Sequence, residues 1–577
     1  MSPDTDSTAG QFDRPSLPLA WTPVLVLIGL LVANVCLYKG DSSYGPNQIA
    51  LLIAAAVAAM IGTFYKVPFK SMLKGIEKSI SSAMTAMLIL LLIGSLAGTW
   101  MISGVVPAMI YYGLDILNPQ IFLFAAAVVC AIVSVATGSS WSTVATVGIA
   151  LLGIGTALGV STAYAAGAVI SGAYFGDKIS PLSDTTNLAA AMAGTNLITH
   201  IKYMLWTTVP SFTIALAIYL AIGYGAEPTA LSVDTSALKA EVREHFDTLT
   251  PWLFVVPLAV LVMVLMKIDA VVALFIGAVL GGVFAIAFQP KMINKISGLD
   301  EVSVEAVVAA DGQSGSELDT AQPTDNKSNA VSAVGYLKRS YLAFVNAMAF
   351  ETKGIPGEEV GALKGQLAAA KLASARKQSG NPELTAEEFE ASEIVLKETF
   401  PKLEAKLEAK HAAAKLLVGK GMAGMLNTIW LIITAMCFGG VMESCGLLKR
   451  ITDPLVGFAT NNGSLVATTA GSCVFVNATA SDQYLAIVVP GRMYRETFEE
   501  RGLAPQNLSR TLEDAGTVTS VLIPWNTCGA AQSSVLSVET LVYAPFCFFN
   551  WISPLMTVLI GYLGIGVARL EDGDWSG

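Results

Sequence analysis

The residues best suited to chemistry lie in one run, Gly176-Asp-Lys-Ile-Ser-Pro-Leu-Ser-Asp-Thr-Thr-Asn187. It sets Asp177, Lys178 and Asp184 between two uncharged stretches, 116–176 and 185–201. A charge near the centre of a bilayer costs at least about 2.5–3.5 kcal/mol. Pro181 interrupts any helix there, because it has no N–H and clashes with the preceding turn. Irregular backbone at membrane depth persists only where it is buried in protein or lines water. Free carbonyls, Ser and Thr hydroxyls, an Asn amide and one or two carboxylates then form a ligand set for a small hard cation. The Ser183–Asn187 run also reads as an N-cap for a helix beginning near Leu188. Both readings stand at this level.

Those residues need apolar elements to position them, and the chain supplies them. It has 577 residues, 54% hydrophobic and 14% charged, with a mean hydropathy of +0.61. Soluble domains carry roughly 25% charged residues. There is no charge from Ser79 to Leu114, and none from Ile116 to Gly176. With about 20 apolar residues per crossing, the uncharged runs predict roughly 11–13 membrane segments, some broken or re-entrant. The fold class expected is therefore an all-α polytopic membrane protein. The net charge of -10 comes largely from the polar parts and points to no nucleic-acid partner. Seven cysteines, none in a CxxC pair, and three histidines suggest no metal cluster. Leu17–Tyr38 lacks a basic lead and a cleavage site, so it reads as a first helix.

The chain divides into a polar tail (1–16), a first membrane block (17–290), a polar insert (291–418), a second membrane block (419–568) and a short tail (569–577). Within the insert, Ser297–Asn329 reads as a linker. Gly361–Lys377 and Thr385–Lys415 are rich in Ala, Lys, Glu and Leu and predict a helical hairpin. A regulatory or partner-binding role for the insert is one expectation. Lys66, Lys70, Lys74 and Lys78 predict a cytoplasmic loop, and with it a cytoplasmic N-terminus.

The two membrane blocks resemble each other. Gly138-Ser-Ser-Trp-Ser-Thr-Val-Ala-Thr146 matches Gly471-Ser-Cys-Val-Phe-Val-Asn-Ala-Thr479, and the acid-rich run 176–187 has a counterpart in Glu513–Thr527. Paired interrupted helices in two halves point to a transporter's central site. Asp482, after Ala478-Thr-Ala-Ser481, reads as a further membrane acid. Glu443 reads as interfacial and Asp115 as a loop residue. His200, beside Lys202 at a segment end, reads as interfacial and not as a proton relay.

Three stretches carry a resemblance to the NhaC family of Na⁺/H⁺ antiporters: Gly172–Ala189, Asn507–Gly529 and Asn477–Tyr484. Gly421–Gly446, with Phe438-Gly-Gly440, is similar too. The resemblance implies two inverted repeats, each with a re-entrant hairpin and a broken helix. It implies exchange of Na⁺, and of Li⁺ in its place, for H⁺ across the cytoplasmic membrane of a prokaryote, serving pH homeostasis. On matching positions it points to Asp177, Ser180, Asp184, Thr185, Thr186 and Asn187, facing Asn477, Thr479, Asp482, Asp514, Thr517 and Asn526. Among these, Asp184, Thr185 and Asn187 are assigned to the transported Na⁺. No cofactor is expected beyond the transported ions; membrane lipid and a homodimer are the partners expected.

Antiport requires Na⁺ and H⁺ to exclude each other, and a partly buried carboxylate that holds either ion is the simplest device. Asp184 is the leading candidate, so Asp184→Asn is expected to abolish Na⁺-dependent proton release. Asp177 is second, with adjacent Lys178 a candidate ion-pair partner. The alternative is a Na⁺/H⁺-coupled organic-acid (malate- or lactate-like) or amino-acid antiporter. Carboxylates are commonly gripped by Arg, and there is no Arg between Arg14 and Arg243. That favours a cation alone. A serine protease built on Gly138-Ser-Ser140 would need a base, and no histidine falls in an apolar run. A passive channel would not need paired halves.

Overall fold

The computed structural model describes residues 15–38, 45–116, 118–225, 235–266, 268–297, 325–353, 364, 410, 418–419 and 421–570. Among them, seven helices are long and apolar enough to cross a membrane, or eight if the bent pair Thr540–Phe546 and Phe548–Leu563 is one span. The protein is an all-α polytopic membrane protein; its sole sheet among the described residues pairs Thr352–Lys353 with Val418–Gly419. Fewer full spans appear than the uncharged runs suggest, because several runs fold as half-helices that stop at breaks.

The first block opens with α1 (Leu17–Tyr38), α2 (Pro46–Phe64), α3 (Phe69–Ile102) and α4 (Val105–Ile116). Lys70, Lys74 and Lys78 lie on the first turns of α3 and not in a loop. Their four-residue spacing puts them on one helix face, where Lys78 meets Glu443 at 3.9 Å.

The first hairpin comes next. α5 (Phe122–Thr137) stops at Gly138, whose φ of 67° requires a residue without a Cβ penalty. The chain restarts as α6 (Ser140–Thr143), passes a π-turn at Val144–Gly148 and continues as α7 (Ile149–Ala157). α7 returns alongside α5: a Cβ at Gly155 would lie 2.6 Å from the Phe122 ring. α8 (Thr162–Ile179) then runs parallel to α5, with Gly172 pressed on the Ala127 carbonyl and Gly176 on that of Ala131. Ser134 seals the contact by donating to the Ala173 carbonyl at 2.6 Å. Beyond Pro181 the chain resumes as α9 (Asp184–Ala193).

α10 (Leu197–Gly225) leads to an extramembrane helix, α11 (Thr235–His245). α12 (Val255–Leu265), α13 (Ala270–Phe288) and α14 (Pro290–Ile296) complete the first block. α15 (Asp325–Ala349) belongs with them although it lies in the polar insert. A Cβ at Gly98 would lie 1.8 Å from the Ala347 carbonyl, and one at Gly282 2.3 Å from the Phe344 ring. Ser95 donates to the Met348 carbonyl at 3.1 Å. The linker expected over 297–329 therefore gives way, from Asp325, to a helix packed on the membrane core. The hairpin expected at 361–415 lies outside the described residues, Lys364 and Lys410 excepted. Deleting 354–409 is expected to leave a folded protein, whereas a deletion that also takes 325–349 should uncover Gly98 and Gly282 and lose it. Size-exclusion profiles and thermal midpoints of the two deletion variants check this.

The second block repeats the plan after α16 (Leu426–Ser444) and α17 (Leu447–Val456). α18 (Asn462–Thr479) and α19 (Gln483–Glu500) form an antiparallel hairpin, tied by Ser472 and Tyr494 at 2.9 Å. α20 (Pro505–Leu512) runs parallel to α18 and passes through a π-turn at Glu513–Thr517; Asn477 donates to the Gly516 carbonyl at 2.6 Å. After Pro524, α21 (Thr527–Leu536) resumes, and α22 (Thr540–Tyr543) and α23 (Phe548–Leu563) close the bundle.

The structural register of the repeat is Ser180-Pro181-Leu182-Ser183 against Ile523-Pro524-Trp525-Asn526. Each run breaks a helix at its proline and caps the next: Ser183 accepts from the Thr186 N–H and Asn526 from the Cys528 N–H. The letter match of Gly138–Thr146 to Gly471–Thr479 is out of this register. Gly138 sits in a break, and Gly471 lies in the middle of α18. α9 runs parallel to α19, with Asp184 beside Tyr484 and Gly194 beside Arg495. α18 and α20 are therefore opposite in sense to α8 and α9, so the two repeats are inverted.

Candidate ion-binding site

The two breaks meet at the centre of the bundle. Asp177, near the end of α8, is buried and accepts from the Ser140 N–H (3.1 Å) and hydroxyl (2.7 Å). The pseudo-equivalent contact in the second repeat is neutral, Ser520 donating to Gln483 Oε1 at 3.1 Å. Lys178 is fully buried. It forms an ion pair with Asp514 of the second repeat and donates to Ser553 Oγ at 3.0 Å. Ser553 in turn donates to Asp514 Oδ1 at 3.1 Å. Adjacency in sequence favours Asp177 as the partner of Lys178; the α8 backbone instead points the lysine across to the other repeat.

Glu513 precedes Asp514 in the π-turn, is fully buried, and accepts from Thr185 Oγ1 at 3.0 Å. Thr517 faces Glu513 without closing a hydrogen bond. Asp177 Oδ1, Glu513 Oε2, Asp514 Oδ2 and Thr517 Oγ1 have no hydrogen-bond partner among the described residues. Buried polar groups are almost always paired, so these open acceptors on the two breaks stand out, although no group of three or more acidic, His or Cys side chains among the described residues is arranged as a metal site. Arg510, one turn before Glu513, is also fully buried. It sits 4.6 Å from the Tyr203 ring and donates to the Gly566 carbonyl at 3.2 Å, with Nε and Nη2 unpartnered among the described residues.

Other residues singled out by sequence do different work. Ser180 donates to the Val135 carbonyl (2.8 Å) and Thr186 to that of Lys178 (2.9 Å). Asn187 is exposed and donates to the Ser183 carbonyl (2.6 Å). These three tie down the break. Asn477 and Asn526 do the same for the second, bonded to each other at 3.1 Å. Thr479 bonds its own helix at the Phe475 carbonyl (2.8 Å). Asp482 is buried but caps α19, accepting from the Leu485 N–H at 2.9 Å. Asp184 is exposed at the start of α9 and accepts from the Tyr484 hydroxyl at 2.5 Å. Partial burial, the feature that favours Asp184 from sequence, is therefore lacking at that position. His200, in the first turn of α10, is fully buried and lies 2.7 Å from Ser509 Oγ.

Sequence reasoning misses Glu513 and Arg510 as site residues. Their signal is present: Arg510, Glu513 and Asp514 fall at i, i+3 and i+4, one face of one helix, at the edge of an uncharged run.

The sequence profile of the Na⁺/H⁺ antiporter family matches residues 172–319 and 399–565, which include both breaks. The chain belongs to the Na⁺/H⁺ antiporter family. It is 33% identical over 477 residues to the Na⁺/H⁺ antiporter NhaC of Alkalihalophilus pseudofirmus, covering 82% of this chain and 81% of that protein. It is also 28% identical to a malate-2H⁺/Na⁺-lactate antiporter of Bacillus subtilis, over 82% of this chain and 79% of that one. A third relative, the arginine/ornithine antiporter ArcD of Halobacterium salinarum, is 29% identical over 81% of this chain and 76% of its own. This family member is thus a membrane antiporter and not an enzyme.

Proposed function

We propose that the chain exchanges Na⁺, and Li⁺ in its place, for H⁺ across the cytoplasmic membrane of a prokaryote by alternating access. The observation that carries this reading is the buried inter-repeat ion pair of Lys178 and Asp514, whose sequence neighbours Asp177 and Glu513 are buried acids as well. A buried ion pair is kept only while both partners stay charged and matched. Na⁺ arriving at Asp514 and Glu513 takes the place that the ammonium holds, and a proton leaves the cluster. When Na⁺ departs, a proton returns and the pair re-forms. The ion pair joins the two repeats, so its making and breaking is coupled to the movement of one repeat against the other. Asp184, exposed beside the break, and the half-buried Tyr484 that donates to it form the approach to the cluster and not its exchanging group.

A second reading rests on Arg510. A buried guanidinium with open donors is suited to a carboxylate, so it restores the organic-acid alternative that the absence of Arg from the first repeat disfavours. Proteoliposomes with a preset proton gradient separate the two. Na⁺ or Li⁺ alone is expected to dissipate the gradient, and malate, lactate or an amino acid should add nothing. An absolute requirement for one of those anions would replace the simple exchanger with the second reading.

A further inference from the structure

Arg510 is a buried cation that exchange at Lys178 and Asp514 does not use. It is fully buried, and two of its nitrogens, Nε and Nη2, have no hydrogen-bond partner among the described residues. The Tyr203 ring lies 4.6 Å from the guanidinium, and Nη1 donates to the Gly566 carbonyl at 3.2 Å. Gly566 belongs to a strap, 564–570, that follows α23 and turns at Gly564 and Gly566, where φ is 68° and 58°. The strap runs beside the approach to α20. The Ala504 N–H donates to the Ala568 carbonyl at 3.0 Å, and the Leu570 N–H to that of Gly502 at 2.9 Å. Asn507 Nδ2 donates to the Ala568 carbonyl at 2.7 Å. Tyr203 of α10 is the hub: its hydroxyl accepts from the Ala568 N–H at 3.1 Å and hydrogen-bonds the Gly566 carbonyl and Asn507 Oδ1.

A complementary deficit lies one turn along the same helix. Glu513 and Asp514 stand three and four residues after Arg510. Side chains at those spacings are neighbours on one helix face, within reach of an Arg–carboxylate pair. Glu513 Oε2 and Asp514 Oδ2 are buried without a partner among the described residues, as are the two arginine nitrogens. Buried polar groups rarely stay unpaired, and here each set lacks what the other supplies. The π-turn at Glu513–Thr517 begins between them. A π-turn carries one residue more than an α-turn, and such turns are frequent at functional sites. Its return to α geometry rotates the carboxylates relative to Arg510. The two cations also differ in attachment. Lys178 comes from the first repeat and departs with it, whereas Arg510 rides on the helix that carries Glu513 and Asp514.

We propose that Arg510 is the resident counter-cation of the exchange site. Tyr203 and the strap park it while Lys178 holds Asp514, and it takes up the carboxylates when the first repeat withdraws the lysine. The guanidinium thereby competes with Na⁺ for the same oxygens, and the strap sets how often it does so.

The proposal rests on exchange at the Lys178–Asp514 pair. One titration tests both: proton release by the detergent-purified full-length protein against Na⁺ concentration. Arg510→Gln removes the competitor, so half-saturating Na⁺ is expected to fall at least about threefold, as the fraction of open sites rises. Arg510→Lys keeps the charge and should stay near wild type. Tyr203→Phe keeps Arg510 but removes the hub hydroxyl, so half-saturating Na⁺ is expected to rise at least about threefold. The rise should vanish in the Tyr203→Phe/Arg510→Gln double variant, which has no guanidinium to release. A purely structural arginine would lower the thermal midpoint and leave half-saturation unmoved; that result in folded protein overturns the proposal. So does a fall in Arg510→Lys equal to that in Arg510→Gln. If Arg510→Gln does not fold, Tyr203→Phe decides alone, and an unchanged or lower half-saturation overturns the proposal. A shift seen only with malate or lactate present assigns Arg510 to a carboxylate substrate and overturns it as well. Wild-type protein that releases no protons on Na⁺ addition ends the exchange reading itself, whereas wild-type release with unmoved variants ends only the role of Arg510.

Discussion

Asp514→Asn is expected to abolish Na⁺-driven proton exchange and to destabilise the protein. The Lys178 ammonium would be left buried beside Ser553 with its paired carboxylate gone. Removing one partner of a buried ion pair costs about 3–5 kcal/mol. Lys178→Met should be destabilising for the mirror-image reason. The two substitutions together remove both charges, and an apolar or neutral replacement of a buried pair is often neutral in stability. The double variant should therefore recover most of its thermal midpoint while exchange stays at background. That divergence between stability and transport separates a working ion pair from a structural one. Asp184→Asn should differ from all three: it removes an exposed carboxylate, so midpoint and most of the exchange should survive. Thermal melts and proton flux in proteoliposomes check the set.

Gly172→Val is expected to prevent assembly of the first repeat. A Cβ there would fall 2.1 Å from the Ala127 carbonyl oxygen, and one at Gly176 would fall 2.4 Å from that of Ala131. The obstructing atoms are backbone, so no rotamer change relieves them. Overpacking ordinarily costs 1–3 kcal/mol, and about 3 kcal/mol or more is expected where the neighbour cannot yield. α5 and α8 would separate, and Ser140 would leave Asp177. Gly471 is the control: it lies mid-helix with nothing within 4 Å of its Cβ position. Gly471→Ala should stabilise by about 0.5–1 kcal/mol, because Gly is the poorer helix former. Yield of monodisperse protein and thermal midpoint distinguish the outcomes.

The membrane class and the two breaks are legible in the sequence because their signals are local. A proline among Ser, Thr and Asn between apolar runs predicts an interrupted helix, and Pro181 and Pro524 each stand at such a break. Ser183 is legible as a cap for the same reason, although its helix starts at Asp184 and not near Leu188. The partner of Lys178 is not legible. Sequence adjacency favours Asp177, whereas the partner is 336 residues away and depends on how two inverted repeats face each other. Asp184 looks buried because its flanks are uncharged; its place at the start of α9 turns it outward. His200 reads as interfacial because Lys202 is near, and α10 turns it inward to Ser509. α15 is hidden by its polar composition, since its packing depends on two glycines, Gly98 and Gly282, in other helices.

Proton release by the detergent-purified protein on addition of Na⁺, followed in weak buffer, tests the exchange at the inter-repeat pair most directly. Wild-type protein and Asp184→Asn are both expected to release protons, and the Lys178→Met/Asp514→Asn double variant, folded to the same midpoint, is expected to release none. Release from the double variant at the wild-type level would contradict ion exchange at that pair. So would its loss in a well-folded Asp184→Asn protein, which would return the exchanging carboxylate to the exposed start of α9.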